Sequence, residues 1–126
     1  MFYDKSQEES EKQGTPLHER GPTDMHEVYF EKQGSVLTVK PEGRLDSVTS
    51  PVLEGELKKH LDGVQEVIMD FTGVNYISSG GLRLLLTTGQ QMQGRGGNIK
   101  VIHVNENIYD VFELVGLTDA VAVEKD

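Results

Sequence analysis

Two adjacent hydroxyl side chains followed by two glycines, Ser78-Ser79-Gly80-Gly81, are the residues of this chain best suited to chemistry at a surface. They stand where an apolar run, Val74 to Ile77, gives way to the helical spacing of Leu82, Leu85, Leu86 and Met92. A serine at a helix start lies beside backbone N–H groups that have no partner within the helix, and the helix dipole favours added negative charge there by about 0.3 to 1 kcal/mol. A phosphoryl group on either hydroxyl suits such a place. Glycine costs a helix roughly 1 kcal/mol relative to alanine, so Gly80 and Gly81 are not there for helix propensity. Without Cβ atoms they allow close approach, for instance of another macromolecule to the serines. The plainer reading is that one serine caps a helix and the tetrapeptide is only a turn. Spacing alone leaves both open.

Other chemistries have weaker support. The Gly-x-Ser-x-Gly elbow of serine hydrolases is missing, because neither serine has a glycine two residues before it. The histidines His18, His26, His60 and His103 include no pair spaced four apart, and cysteine is absent, so no metal or cofactor site is expected and disulfides are excluded. His103, within an apolar strand, reads as a core or edge imidazole. The glycines at 94, 96 and 97 fit neither a P-loop nor a dinucleotide fingerprint, and Lys58-Lys59 is too small a basic cluster to track phosphates. Leu84 falls off the main apolar stripe and is a candidate for facing a partner. With 12 basic and 21 acidic residues the net charge is −9, which repels nucleic acid and anionic membrane surfaces. No apolar run reaches the ~18 residues of a spanning helix. A non-secreted protein, cytoplasmic by default, is expected.

The elements that must position the serines follow from periodicity. Residues 1–24 contain six acidic and three basic side chains and few apolar anchors, which predicts a disordered acidic tail ahead of a domain at 25–126. Val28 to Phe30 and Val36 to Val39 around Gln33-Gly34 form a hairpin. Ser50 as N-cap and Pro51 as first helical residue open a helix with Leu53, Leu57 and Leu61, ended by Gly63. Val67-Ile68-Met69 suits a central strand covered on both faces. A helix from Leu82, a strand over Ile99–Val104, a helix carrying Ile108, Val111, Phe112 and Val115 capped by Gly116, and a strand near Ala120–Val123 complete the order β-β-α-β-α-β-α-β. Strands alternating with helices require parallel pairing, so the class is α/β: a mixed sheet of about five strands with an antiparallel edge hairpin and three or four helices.

Three separated stretches resemble a known family in matching order. They are Gly43-Arg44-Leu45-Asp46 with Thr49-Ser50-Pro51, then Val67 to Val74 with Tyr76 to Leu82, and lastly Phe112 to Leu117. The chain resembles a STAS domain of the anti-sigma-factor antagonist type over essentially 25–126. The resemblance implies a non-enzymatic binding protein that regulates transcription by partner switching. Its unphosphorylated form would sequester a serine kinase anti-sigma factor, phosphorylation by that kinase would release it, and a phosphoserine phosphatase would reset it. Family members commonly carry an acidic residue, two hydroxyl residues, glycine and leucine in this loop. Aligned on Leu82, Ser78 takes the acidic place, Ser79 the first hydroxyl and Gly80 the second. The resemblance therefore makes Ser79 the phosphoacceptor, with Ser78 as alternative, and Asp46, Ser78, Gly80, Gly81 and Arg83 the partner-binding residues. Asp70 reads as structural. The departures at Ser78 and Gly80 leave an alternative, a STAS accessory subunit of a transporter or other signalling assembly without a phosphoswitch.

Overall fold

A computed structural model describes residues 17–19 and 25–126. Strands β1 (Leu17–Glu19), β2 (Met25–Gln33) and β3 (Val36–Leu45) precede helix α1 (Thr49–Lys58). They are followed by β4 (Glu66–Asp70), β5 (Gly73–Ile77), α2 (Ser79–Gly94), β6 (Asn98–Val104), α3 (Glu106–Leu114), a 3-10 turn at Leu117–Asp119, and β7 (Ala122–Lys125). The expected hairpin is present: β2 and β3 pair antiparallel around Gly34 and Ser35, and Gly34 takes the left-handed φ of +61° that glycine accepts without strain. The parallel crossovers are present as well, in a sheet ordered β1-β2-β3-β4-β6-β7.

Several expectations are corrected. Strand β1 falls inside the tail expected to be disordered, where its backbone pairs antiparallel with β2 from Leu17↔Phe30 to Glu19↔Val28. Backbone pairing to an open sheet edge needs no apolar side-chain pattern, so composition does not signal it. The rest of that tail lies outside the described residues. Strand β5 is also additional, giving seven strands among the described residues rather than about five. It lies in line with β4 along the same edge of β3: β4 pairs with Val36–Val39 and β5 with Glu42–Leu45. Asp70 closes the jog between them, its Oδ1 accepting from Thr72 N at 3.0 Å and Thr72 Oγ1 at 2.6 Å, in keeping with a structural role.

Val67 and Met69 are wholly buried, yet Ile68 is only half-buried, so β4 is covered fully on one face. The opposite face of the sheet carries Tyr29, Glu31, Thr38 and Glu42, none of them buried. The core lies under the helices, where Leu37, Val39, Leu53, Leu57, Leu85, Met92, Val101 and Phe112 are almost fully removed from water.

Helix α2 is rotated from its expected phase. Gly81, Leu84, Leu85, Thr88, Gly89 and Met92 are buried, whereas Leu86 is 39% exposed. Leu84, expected to be available to a partner, is therefore core. The true stripe passes through two glycines and a threonine, which a search for large apolar residues does not register. A Cβ at Gly89 would sit 3.1 Å from Ile99 Cγ2, so the small residue lets α2 approach β6 closely.

Candidate functional site

The site forms where the C-terminal ends of β3 and β5 pass into α1 and α2. Leu45 and Ile77 are paired across the two strands, and Ser78 N donates to Leu45 O at 2.9 Å. Ser78 is the N-cap of α2, in extended conformation and with no side-chain capping hydrogen bond, while its carbonyl accepts from Leu82 N at 3.0 Å. Ser79 is thus the first helical residue, and it is exposed. The N–H groups of Ser79, Gly80 and Gly81 precede the first intrahelical donor and point out of the helix end. Their dipoles favour an anion at the Ser79 hydroxyl.

The start of α1 is set by Asp46 rather than by Ser50. Asp46 Oδ1 accepts from Val48 N and Thr49 N, each at 3.0 Å, and Thr49 Oγ1 donates to Arg44 O at 2.7 Å. With the first amides satisfied from Asp46, the helix begins at Thr49 and Ser50 becomes interior, 4% exposed. The amide of Thr49 first, then that of Val48 and the Arg44 side chain, hold the Asp46 carboxyl below its ordinary pKa, although burial opposes them. Asp46, expected to face a partner, thus spends its oxygens mainly inside the turn, with Arg44 Nε 3.2 Å from the outer one. Arg44 also stacks over Tyr76, 4.2 Å from the ring centroid.

Gly80 and Gly81 serve contacts within the chain. A Cβ on Gly80 would meet Ser47 Cα at 2.9 Å and Asp46 O at 3.0 Å, and one on Gly81 would meet Ile77 Cγ1 at 2.6 Å and Leu45 O at 2.8 Å. The space at Gly80 is filled by the β3–α1 turn, which brings the two helix N-termini side by side, and that at Gly81 by the Ile77 side chain and the Leu45 carbonyl. Gly81 is buried.

Ser79 stands on a ridge between two crevices. One, about 200 Å³, lies between α1 and α2 and is lined by Ser47, Ser50, Glu54, Ser79 and Arg83 among others. The other, about 300 Å³, lies between α2 and the end of α3 and is lined by Ser79, Leu82, Arg83, Leu86, Val115 and Leu117. Val115, a lining residue, is 54% exposed, so the crevice opens onto apolar surface. Gly116, with φ of +79°, turns the chain there and is the left-handed cap expected of it. The structure thus brings Ser78, Ser79, Gly80, Arg83 and Asp46 together. Leu86 and Val115 enter the same surface although each belongs to an apolar helical stripe. Arg44 and Tyr76, cross-strand neighbours that alternate with the buried Leu45 and Ile77, lie on the other face of the sheet.

His103 is exposed, with φ of +58° at an irregularity in the β6–β7 pairing, and its Nδ1 lies 3.5 Å from Asp126 Oδ1. It is neither a core nor an edge imidazole but an exposed one on β6, which has β4 on one side and β7 on the other. Among the described residues no three His, Cys, Asp or Glu side chains are grouped to hold a metal ion, and no helix is long and apolar enough to cross a membrane.

A mixed sheet with helices packed on it and a serine-led helix at the carboxyl ends of two parallel strands defines a small α/β domain with a solvent-facing hydroxyl. Residues 27–126 match the STAS domain, and the chain belongs to that family. It is 32% identical over 88 residues to an anti-sigma-B factor antagonist of Staphylococcus epidermidis, covering 69% of this chain and 82% of that one. To an anti-sigma-B factor antagonist of Staphylococcus aureus it is 30% identical over 94 residues, covering 74% and 87%. The fold matches the structure of the anti-sigma factor antagonist SpoIIAA in its unphosphorylated form with a TM-score of 0.63 at 15% identity, over 79% of this chain and 87% of that one.

Proposed function

We propose that this protein is an anti-sigma-factor antagonist and that Ser79 is the phosphoacceptor of its switch. The observation that carries the reading is the exposed Ser79 hydroxyl at the first position of α2, on the ridge between a polar crevice and an apolar one. In the unmodified state the apolar crevice with Leu82, Leu86 and Val115 supplies area that a partner would bury, and Arg83 lines it beside the serine. The partner is a serine kinase anti-sigma factor. In the transfer step the Ser79 oxygen attacks the γ-phosphorus of ATP, the bond from that phosphorus to the ADP oxygen breaks, and the hydroxyl proton passes to a base of the kinase. The product carries about −1.5 to −2 further charges at the contact. Losing a buried contact and gaining repulsion there supplies roughly 3 to 5 kcal/mol, two to four decades in affinity. A phosphoserine phosphatase restores the hydroxyl.

The test is incubation with the cognate kinase and ATP, followed by peptide mass spectrometry and binding measurements on wild type, Ser79→Ala and Ser78→Ala. Phosphate on Ser79, absent only from Ser79→Ala, with phosphorylation lowering affinity at least a hundredfold, is expected. Phosphate on Ser78 alone moves the switch by one residue. Phosphate on neither serine removes the switch in favour of a STAS accessory subunit of another assembly.

A further inference from the structure

Ser50 is an anomaly within α1. It is 4% exposed, its Oγ has no hydrogen-bond partner, and it lines the polar crevice between α1 and α2. Leaving a buried hydroxyl unpaired is costly, so a buried hydroxyl without a partner beside a crevice marks a place for one. The crevice has the other attributes of an oxyanion site. The N-termini of α1 and α2 converge on it, drawn together by Gly80 packed against Asp46 and Ser47. The amides of α1 nearest Asp46 are taken by its carboxylate, whereas the first turn of α2 has no side-chain cap. Arg83 lines the same space one turn beyond Ser79, the four-residue separation that places two side chains on one helix face. At about 200 Å³ the crevice exceeds by several-fold the roughly 30 Å³ occupied by one water.

We infer that this crevice is a built-in receptor for a phosphate monoester, and that its occupant is the phosphoryl group carried by Ser79 itself. The phosphoryl oxygens accept from the free amides of the α2 first turn, from the Arg83 guanidinium and from Ser50 Oγ. The phosphorylated state is thereby a defined conformation with its charge turned towards α1 rather than a freely rotating group. Two carboxylates bear on it. Glu54 lines the crevice from α1 and opposes the dianion, and Asp46 in the β3–α1 turn is engaged by two amides, Thr49 and Arg44. The inference rests on Ser79 being the modified residue. It adds that Ser50 and Arg83 are positioning residues of the modified form.

Phosphoserine inserted at position 79 during translation tests it without any kinase, so a kinase that ignores Ser79 overturns the proposed function while leaving this measurement intact. The readout is a phosphorus NMR titration of the full chain. The ordinary second pKa of phosphoserine is about 6, and engagement by Arg83 and the amides should lower it by about half a unit or more. Arg83→Gln and Ser50→Ala should each return it towards 6, with circular dichroism verifying that both variants are folded. The Ser79, Gly80 and Gly81 amide protons should move downfield on phosphorylation. A pKa near 6 that neither variant moves, with no amide shift, overturns the inference. Titration of the unmodified protein with inorganic phosphate separates the two sources of the same chemistry. Amide shifts with millimolar phosphate but none in the phosphoserine protein would make the crevice a site for free oxyanions and also overturn it.

Discussion

At the residue scale, Ser79 differs from Ser78 by one position along the chain and by its relation to the helix. Ser78 gives its backbone to both neighbours, its N–H to Leu45 and its carbonyl to Leu82, whereas Ser79 presents its side chain to solvent. Asp46 has the opposite fate, with a carboxyl facing inward to cap α1. Its pKa lies below the ordinary 3.8, so the stability it contributes is present above that value and is lost as pH falls towards the folded-state pKa. Asp46→Asn should therefore flatten the acid limb of a stability profile, measured by urea unfolding between pH 5 and 3. Gly81 is equally committed. A methyl there would stand 2.8 Å from the Leu45 carbonyl as well as against Ile77, so Gly81→Ala should destabilise the fold by about 1 to 3 kcal/mol, read from the urea midpoint, despite alanine's better helix propensity. Hydroxyls and glycines at a helix start were legible in the sequence. That Gly80 admits the chain's own β3–α1 turn rather than a visitor was not, because Asp46 and Ser47, which would meet its Cβ, lie more than thirty residues away.

At the scale of elements, α2 is a core helix and, in the proposed function, also the docking helix, and its phase separates the two. Leu84 is 3% exposed, so Leu84→Ala should cost about 2 to 5 kcal/mol of stability, while leaving residual binding in whatever fraction stays folded. Leu86, one residue's rotation past the buried Leu85, lines the apolar crevice with Val115. Leu86→Glu and Val115→Glu should each lower affinity for the proposed anti-sigma-factor partner by about tenfold or more, in titration calorimetry, with thermal stability nearly unchanged. Unchanged affinity in both variants would place the partner elsewhere on the molecule. The same helix shows why its phase was misread. Periodicity weighs large apolar residues, but burial of α2 passes through Gly81, Thr88 and Gly89, whose smallness permits contact with Ile77 and β6.

At the scale of the whole molecule, the sheet has a helix-covered face and a face carrying polar groups, and its outer parts set responses that the site does not. His60 stacks on Phe30 with ring centroids 4.2 Å apart, and burial holds its pKa below the ordinary 6.5, though Glu56 opposes this. A depressed folded-state pKa means that stability is full above 6.5 and declines as pH falls below it, when protons bind the unfolded chain first. Stability measured by urea unfolding should fall between pH 7 and 5.5, and His60→Gln should remove part of that slope. The sequence by itself determined the α/β class, the hairpin, the parallel crossovers, the left-handed turn at Gly116 and the serine pair at a helix start, because propensity, periodicity and turn chemistry act over a few neighbouring residues. Only the tertiary structure decided that β5 continues β4 along β3, that Asp46 rather than Ser50 caps α1, that Leu84 and Leu86 exchange places, and that Ser50 faces a crevice beside Ser79. Each of these depends on which distant backbone comes within a few ångströms, and that is fixed by the packing of the complete sheet and its helices.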